Sequence, residues 1–241
     1  MRGFVDLHCH WIAEIDDGAP DHEESLAMLR ALKAAGFDRV VATPHMRPGM
    51  FENTRQDLET AYERMQPLLA EQAGLPAIGL GCEHYFDDTT YQRLLSGAGL
   101  PYPGERAVLV EFYGVDFPMV IAQRLTDLRR RGLLPVMAHP ERYRHLWRNP
   151  DTLERMVDSG IATLLDTAAL IGKYGREPQR CAEDLLERGL YHAACSDAHR
   201  ASDVADVKKG IERVEALYGE EEVSFLFVDG PRALLEGRLP E

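Results

Sequence analysis

The sequence predicts an α/β protein of parallel strands, arranged as a barrel of seven strand–helix units. Short apolar runs alternate with longer amphipathic segments along the chain. Repeated strand–helix units imply parallel strands with right-handed crossovers, and seven of them suit a barrel better than an open sheet. A length of 241 residues, 45% of them hydrophobic, is enough to bury one sizeable core. No internal repeat, low-complexity tract or Ser/Pro linker interrupts it, so residues 1–241 read as a single domain.

Taken in order, residues 4–8 form the first strand. Asp21 caps a helix in which Glu24, three residues on, completes a capping box. That helix carries Leu26, Leu29 and Leu32 on one face and stops near Gly36. A second strand over 39–43 is closed by Pro44, and a helix runs over 53–71. Residues 77–82 and 107–112 are the third and fourth strands. Residues 117–131 are helical and lead through Gly132 into a fifth strand, 134–138. A helix over 151–159, a strand over 161–165, a helix over 178–188 and a seventh strand over 190–195 follow. A helix over 202–217 and a short one near 231–236 end the pattern.

The charge balance excludes some functions. Lys and Arg number 27 against 40 Asp and Glu, giving −13, a poor match to the basic surface that non-specific nucleic-acid binding needs. No apolar run approaches the roughly 20 residues of a membrane span, and the first residues lack a signal-peptide apolar core. The expectation is a soluble, cytoplasmic protein with no membrane insertion. Cys9, Cys82, Cys181 and Cys195 are too few and scattered for a disulfide framework. None has an arginine six residues on: Ile15, Asp88, Glu187 and Ala201 stand there, which excludes the Cys-x5-Arg phosphatase chemistry.

The informative feature is where histidines and carboxylates fall. His8 and His10 close the first strand, His45 the second, Glu83 the third, Glu111 the fourth, His139 the fifth, and Asp197 with His199 the seventh. In a parallel barrel these strand ends open on one face, where active sites are built. Each signal alone is weak. His-x-His puts two imidazoles on one strand face but is often a polar strand edge, and a lone Glu after a strand is usually a solvated loop charge. Placement at six of seven strand ends is hard to attribute to chance, and the combination reads as a multi-metal site of mixed nitrogen and oxygen ligands. His22, His84, His145 and His192 read as surface or core residues. Cys9, between two ligands, reads as a packed small hydrophobe.

These residues, taken together, resemble a known family. Asp6-Leu-His8-Cys-His10, Asp16-Asp17-Gly18, Ala42-Thr-Pro-His45, Gly81-Cys-Glu83, Val110-Glu111-Phe112, His139-Pro-Glu-Arg142-Tyr143 and Ser196-Asp197-Ala-His199 resemble the PHP (polymerase and histidinol phosphatase) superfamily. Within it the order is most similar to the bacterial manganese-dependent protein-tyrosine phosphatases of capsule and exopolysaccharide loci. The Asp16-to-Ser25 segment and the loop from His45 to Asn53 carry that closer similarity. The resemblance implies a distorted (β/α)7 barrel holding three divalent ions, manganese first, with iron, zinc or cobalt permitted by the ligand types. It implies His8, His10, Glu83 and Asp197 around one ion. Glu83 would bridge to a second, also held by Glu111 and His139, and Asp17, His45 and His199 would hold a third. Arg142 matches the arginine that grips the phosphate. The family usually carries another phosphate-binding arginine near Val204, absent here. Arg200 and Arg47 are the candidate substitutes.

The implied activity is hydrolysis of phosphotyrosine on a protein, with the tyrosine-rich tail of a bacterial tyrosine autokinase as partner. Closely spaced ions would lower the pKa of a bridging water and give the hydroxide for in-line attack. Two alternatives share these residues: a small-molecule phosphatase, such as one for histidinol phosphate, and a non-catalytic metal-binding interaction module.

Overall fold

The computed structural model describes residues 2–112 and 119–240. It is an α/β fold with two parallel sheets. The strands are β1 (Phe4–Asp6), β2 (Phe37–Ala42), β3 (His45–Met46), β4 (Ala77–Leu80), β5 (Glu83–Tyr85), β6 (Ala107–Glu111), β7 (Leu134–Ala138), β8 (Ala162–Asp166) and β9 (Ala193–Cys195). The helices are α1 (His22–Ala35), α2 (Arg55–Ala70), α3 (Asp88–Ser96), α4 (Met119–Arg130), α5 (Pro150–Asp158), α6 (Arg176–Glu187), α7 (Val204–Ser224) and α8 (Gly230–Leu235). The start of the helix expected over 117–131 lies outside the described residues. One sheet has the order β1-β2-β4, the other β3-β5-β6-β7-β8-β9.

Two expected strands are each followed by a further short one. The second, β2, stops before Pro44, which has no N–H for the ladder, and β3 follows it. The third, β4, stops before Gly81, and β5 follows beyond Cys82. Gly81 has no room for a side chain, since a Cβ there would stand 2.9 Å from the Tyr102 ring. The two strand pairs still run together, because Gly81 N–H donates to Ala42 O at 2.8 Å and Glu83 N–H to Pro44 O at 3.2 Å. The chain thus passes from the smaller sheet into the larger twice, side by side. At the other edge Cys9 pairs in parallel with Ala198, and Asp197 N–H donates to His8 O at 2.9 Å.

Both faces of the sheets are buried, as parallel strands require. Residues alternate between two cores. Leu109, Val136, Ala138, Leu164, Ala193 and Cys195 join Val5, Leu7 and Val41 in one. Val108, Val110, Met137, Leu165 and Ala194 pack with the helices in the other. Residues such as Ala138, Ala162 and Ala193 keep the first core narrow. Asp21 accepts from Glu24 N–H at 2.9 Å, but the Glu24 side chain does not close the expected capping box. Its Oε1 takes the Ala201 N–H at 2.7 Å instead, tying α1 to the segment after β9.

Candidate metal centre

The strand ends deliver the site. Strand side chains alternate between faces, so Glu111 continues the inward row of Ala107 and Leu109 on β6. His139 follows β7 directly and Asp197 stands two residues past β9, and both hold left-handed backbone, with φ of 34° and 43°. For residues other than glycine this conformation is strained and typical of functional positions.

Ligand-capable atoms from all nine expected residues converge. They form four overlapping groups, each with its atoms within 4.8 Å of one another. His10, Asp17, His45 and His199 make one; His8, His10 and Asp197 another; His8, Glu83 and His139 a third; His45, Glu83 and Glu111 a fourth. His8 Nε2 lies 3.2 Å from each of His10 Nε2, Glu83 Oε2 and Asp197 Oδ1. Glu83 Oε1 is 3.1 Å from His139 Nε2, and Glu83 Oε2 is 3.0 Å from His45 Nδ1. His45 Nε2 and His199 Nε2 stand 3.4 and 3.6 Å from Asp17 Oδ1. The groups grade from deep to open: His8 and Glu83 are sealed, while the Asp17 side chain is 54% exposed.

Electrostatics shape these residues. Burial pushes His10 down to about 4, against the pull of the Asp16 carboxylate. Burial and the Arg142 charge push His139 down to about 3. Both are therefore neutral near pH 7, the form in which imidazole binds a metal. Burial would raise Glu83, but the imidazoles of His8, His45 and His139 hold it well below the usual range. Burial and the charge of Glu83 push Glu111 up. Two buried carboxylates sharing a site resist a second negative charge, and a divalent cation removes that conflict. Glu111 Oε2 is buried without a protein partner. An unpaired carboxylate oxygen beside a mixed nitrogen and oxygen donor set fits a metal ion.

The three arginines have different surroundings. Arg142 Nη2 donates to Asp166 Oδ2 at 2.6 Å and also to Asp197 Oδ2. Its guanidinium lies 4.3 Å from the Tyr174 ring centre. Arg47 sits at the base of a hairpin closed by Phe51, its guanidinium 4.5 Å from the Tyr85 ring centre. Phe51 in turn stacks on His45, with centroids 5.3 Å apart. Arg200 Nη1 donates to the carbonyls of Asp17, Gly18 and His199. These bonds brace the loop that carries Asp17.

Residues outside the nine also shape the centre. Asp166, fully buried at the end of β8, holds Arg142 and caps the turn after it by accepting from Ala168 N–H at 2.9 Å. Glu141 accepts from Asp166 N–H at 3.0 Å and from the Tyr191 hydroxyl at 2.9 Å. Asp16 Oδ2 lies 2.8 Å from His10 Nδ1. His84 serves the fold: it is buried, with Nδ1 2.8 Å from Leu109 O and Nε2 accepting from Leu100 N–H at 3.0 Å. Cys9 is buried in the core under the helices.

Fold and site together define a class: an α/β protein of parallel strands whose ends gather a cluster of histidines and carboxylates able to hold metal beside a braced arginine. The chain belongs to the capsular polysaccharide synthesis family CpsB/CapC, whose profile matches residues 4–236. It is 30% identical over 214 residues to the tyrosine-protein phosphatase YwqE of Bacillus subtilis (strain 168), covering 89% of this chain and 82% of that protein. It is 27% identical over 241 residues to the tyrosine-protein phosphatase CpsB of Streptococcus pneumoniae, covering 98% and 99%. Among solved structures it superposes with TM-score 0.90 and 28% identity on one from the study of YwqE from Bacillus subtilis and CpsB from Streptococcus pneumoniae, unique metal-dependent tyrosine phosphatases. That match covers 98% of this chain and 96% of that one.

Proposed function

We propose that this protein is a metal-dependent phosphomonoester hydrolase that removes phosphate from phosphotyrosine on a protein of capsular polysaccharide synthesis, most specifically the tail of a tyrosine autokinase. One observation carries the reading. Nine ligand-capable residues, spread from His8 to His199, meet in four overlapping groups beside Arg142. The family and its tyrosine-phosphatase relatives supply the substrate class.

In this reading three divalent ions, manganese foremost, are held by His8, His10, Glu83 and Asp197; by Glu83, Glu111 and His139; and by Asp17, His45 and His199. Bound divalent ions at such a centre supply Lewis-acid charge for phosphoryl oxygens and activate water at neutral pH. The chain's own residues do the rest. Arg142 offers a planar fork that matches a phosphate, held in orientation by Asp166 and by the face of Tyr174. Arg47 adds a second cation at the hairpin edge, and Arg200 fixes the Asp17 loop. A tyrosine leaving group, with pKa about 10, departs as a tolerable phenolate, so no strong acid is demanded of the side chains.

The seven strand segments, ordered β1, β2/β3, β4/β5, β6, β7, β8 and β9, support a distorted (β/α)7 barrel of one domain, its closing edge marked by the Cys9–Ala198 pairing. We place the protein in the cytoplasm, with its proposed autokinase partner. Among the described residues no helix is long and apolar enough to cross a membrane.

The test is turnover by chelator-stripped protein reloaded with manganese, on a phosphotyrosyl peptide and on histidinol phosphate. The reading expects metal-dependent turnover with the larger kcat/KM on the peptide. A larger kcat/KM on histidinol phosphate would move the assignment to small-molecule substrates. No turnover with manganese, iron, cobalt or zinc would leave a binding module.

A further inference from the structure

His10 is shared between two of the four groups, one with Asp17, His45 and His199, the other with His8 and Asp197. Its Nε2 faces His8 Nε2, Glu83 and Asp197. Its other nitrogen, Nδ1, turns away and lies 2.8 Å from Asp16 Oδ2. The Asp16 side chain keeps only 1% of its surface exposed. The same Oδ2 accepts the backbone N–H of His45 at 3.1 Å, and Oδ1 accepts that of Gly18 at 2.9 Å. One buried carboxylate therefore touches three stretches that supply site residues: the segment after β1, the loop that presents Asp17, and the start of β3.

We infer that Asp16 is a positioning residue of the metal centre, one that holds the His10 proton on Nδ1, so keeping the Nε2 lone pair toward the cluster, and pins the loop that carries Asp17. This rests on the ligand set proposed above. An ionised carboxylate only accepts hydrogen bonds, so His10 Nδ1 must be the donor. Neutral imidazole carries one N–H, and placing it on Nδ1 leaves Nε2 as the acceptor that a cation needs. A carboxylate behind a ligating imidazole also raises its basicity and fixes its ring. Of the candidate ligand imidazoles, His199 uses a weaker version of this device, its Nδ1 set against the Asp197 carbonyl at 3.0 Å. The loop contact is equally specific. A Cβ at Gly18 would stand 2.1 Å from His10 O, so this loop crosses the His10 backbone with no room to spare. The Asp16–Gly18 bond holds it there.

The test compares wild type with Asp16→Asn and Asp16→Ala, each stripped of metal and shown to be folded by circular dichroism. Manganese binding is measured by calorimetric titration. The His10 tautomer is read by two-bond 1H–15N correlation, its signal assigned with His10→Gln. The inference expects an Nδ1–H tautomer in wild type, its loss or mixing in the variants, and manganese affinity lower by roughly 10- to 100-fold. Asp16→Asn keeps the side-chain size, so the comparison survives if the alanine variant fails to fold. Wild-type affinity in a folded variant would overturn the inference while leaving the metal reading intact. Lost affinity with the Nδ1–H tautomer unchanged would assign Asp16 to the loop alone and overturn it too. Wild type that binds no manganese would overturn the ligand set itself.

Discussion

Glu111 and His139 differ in environment, yet each should be indispensable. Glu111 brings a buried, unpartnered carboxylate oxygen, and His139 brings a neutral imidazole 3.1 Å from Glu83. Glu111→Ala and His139→Ala are each expected to abolish phosphotyrosine turnover while the far-ultraviolet dichroism stays that of wild type. Retained turnover in both would contradict the shared site. Arg142 is expected to act on phosphate and the transition state. Arg142→Ala should lower kcat/KM by roughly 10²- to 10³-fold, the usual cost of removing a transition-state hydrogen-bond donor. Asp166→Asn, which weakens the charged brace on Arg142, should lower it by a smaller factor with manganese content unchanged. Equal kcat/KM in wild type and Arg142→Ala would remove the arginine from the site. The nine ligand-capable residues were legible in the sequence because each stands at or just beyond a strand end or in a recognisable motif. Asp16 was legible only as part of a motif, without a role. Asp166 sits at the end of the sixth expected strand, the one end given no site residue. The same strand-end argument could have found it, but a lone Asp after a strand is ordinarily a solvated charge. Its role depends on Arg142, 24 residues away, and no local pattern carries that.

The order of long elements was legible from apolar periodicity, and the short strands just beyond two of them were not. Strands β3 and β5 are two and three residues long, too short for a period, and they exist because they pair in parallel with each other and β5 with β6. Helix α3 is likewise short and polar on the exposed side, which leaves a weak sequence signal. Helix α7 runs further than the expected 202–217, with a non-helical residue at Gly219. It also approaches closely the backbone behind the site. At Gly210 a Cβ would stand 2.4 Å from Thr167 O and 2.5 Å from Thr167 Cγ2. Thr167 opens the turn that follows Asp166, so α7 presses on the segment that braces Arg142. Gly210→Ala cannot be absorbed by a flexible side chain, because the obstacle includes a backbone carbonyl. The usual helix-propensity gain of alanine should be outweighed by an overpacking cost of about 1–3 kcal/mol. For a chain of this size that corresponds to a melting temperature lower by roughly 2–12 °C. A melting temperature at or above wild type would show that α7 shifts outward without strain.

For the molecule as a whole, the net charge of −13 sets how stability responds to acid, and a buried histidine opposes it. Lowering the pH neutralises carboxylates and relieves the self-repulsion of an acidic chain. His192 works the other way. Its Nδ1 accepts from Thr163 N–H at 3.2 Å and faces the Thr163 hydroxyl at 3.0 Å, so the folded protein keeps the ring neutral there. Burial lowers its pKa from 6.5 to about 4. Between these values the unfolded chain binds a proton that the folded chain does not, so stability falls as the pH drops. The contribution is fully present above pH 6.5, is lost progressively between 6.5 and 4, and changes no further below 4. Its full extent is about 3 kcal/mol. His192→Asn keeps an acceptor for Thr163 and removes the titration. In metal-free protein, where acid release of a ligand-bound ion plays no part, the melting temperature of wild type should fall more steeply than that of His192→Asn between pH 6.5 and 4. The two curves should differ by a constant offset above pH 6.5. Curves that stay parallel through the whole range would show that His192 is not held neutral by its burial, and the acid response would then belong to the other titrating groups.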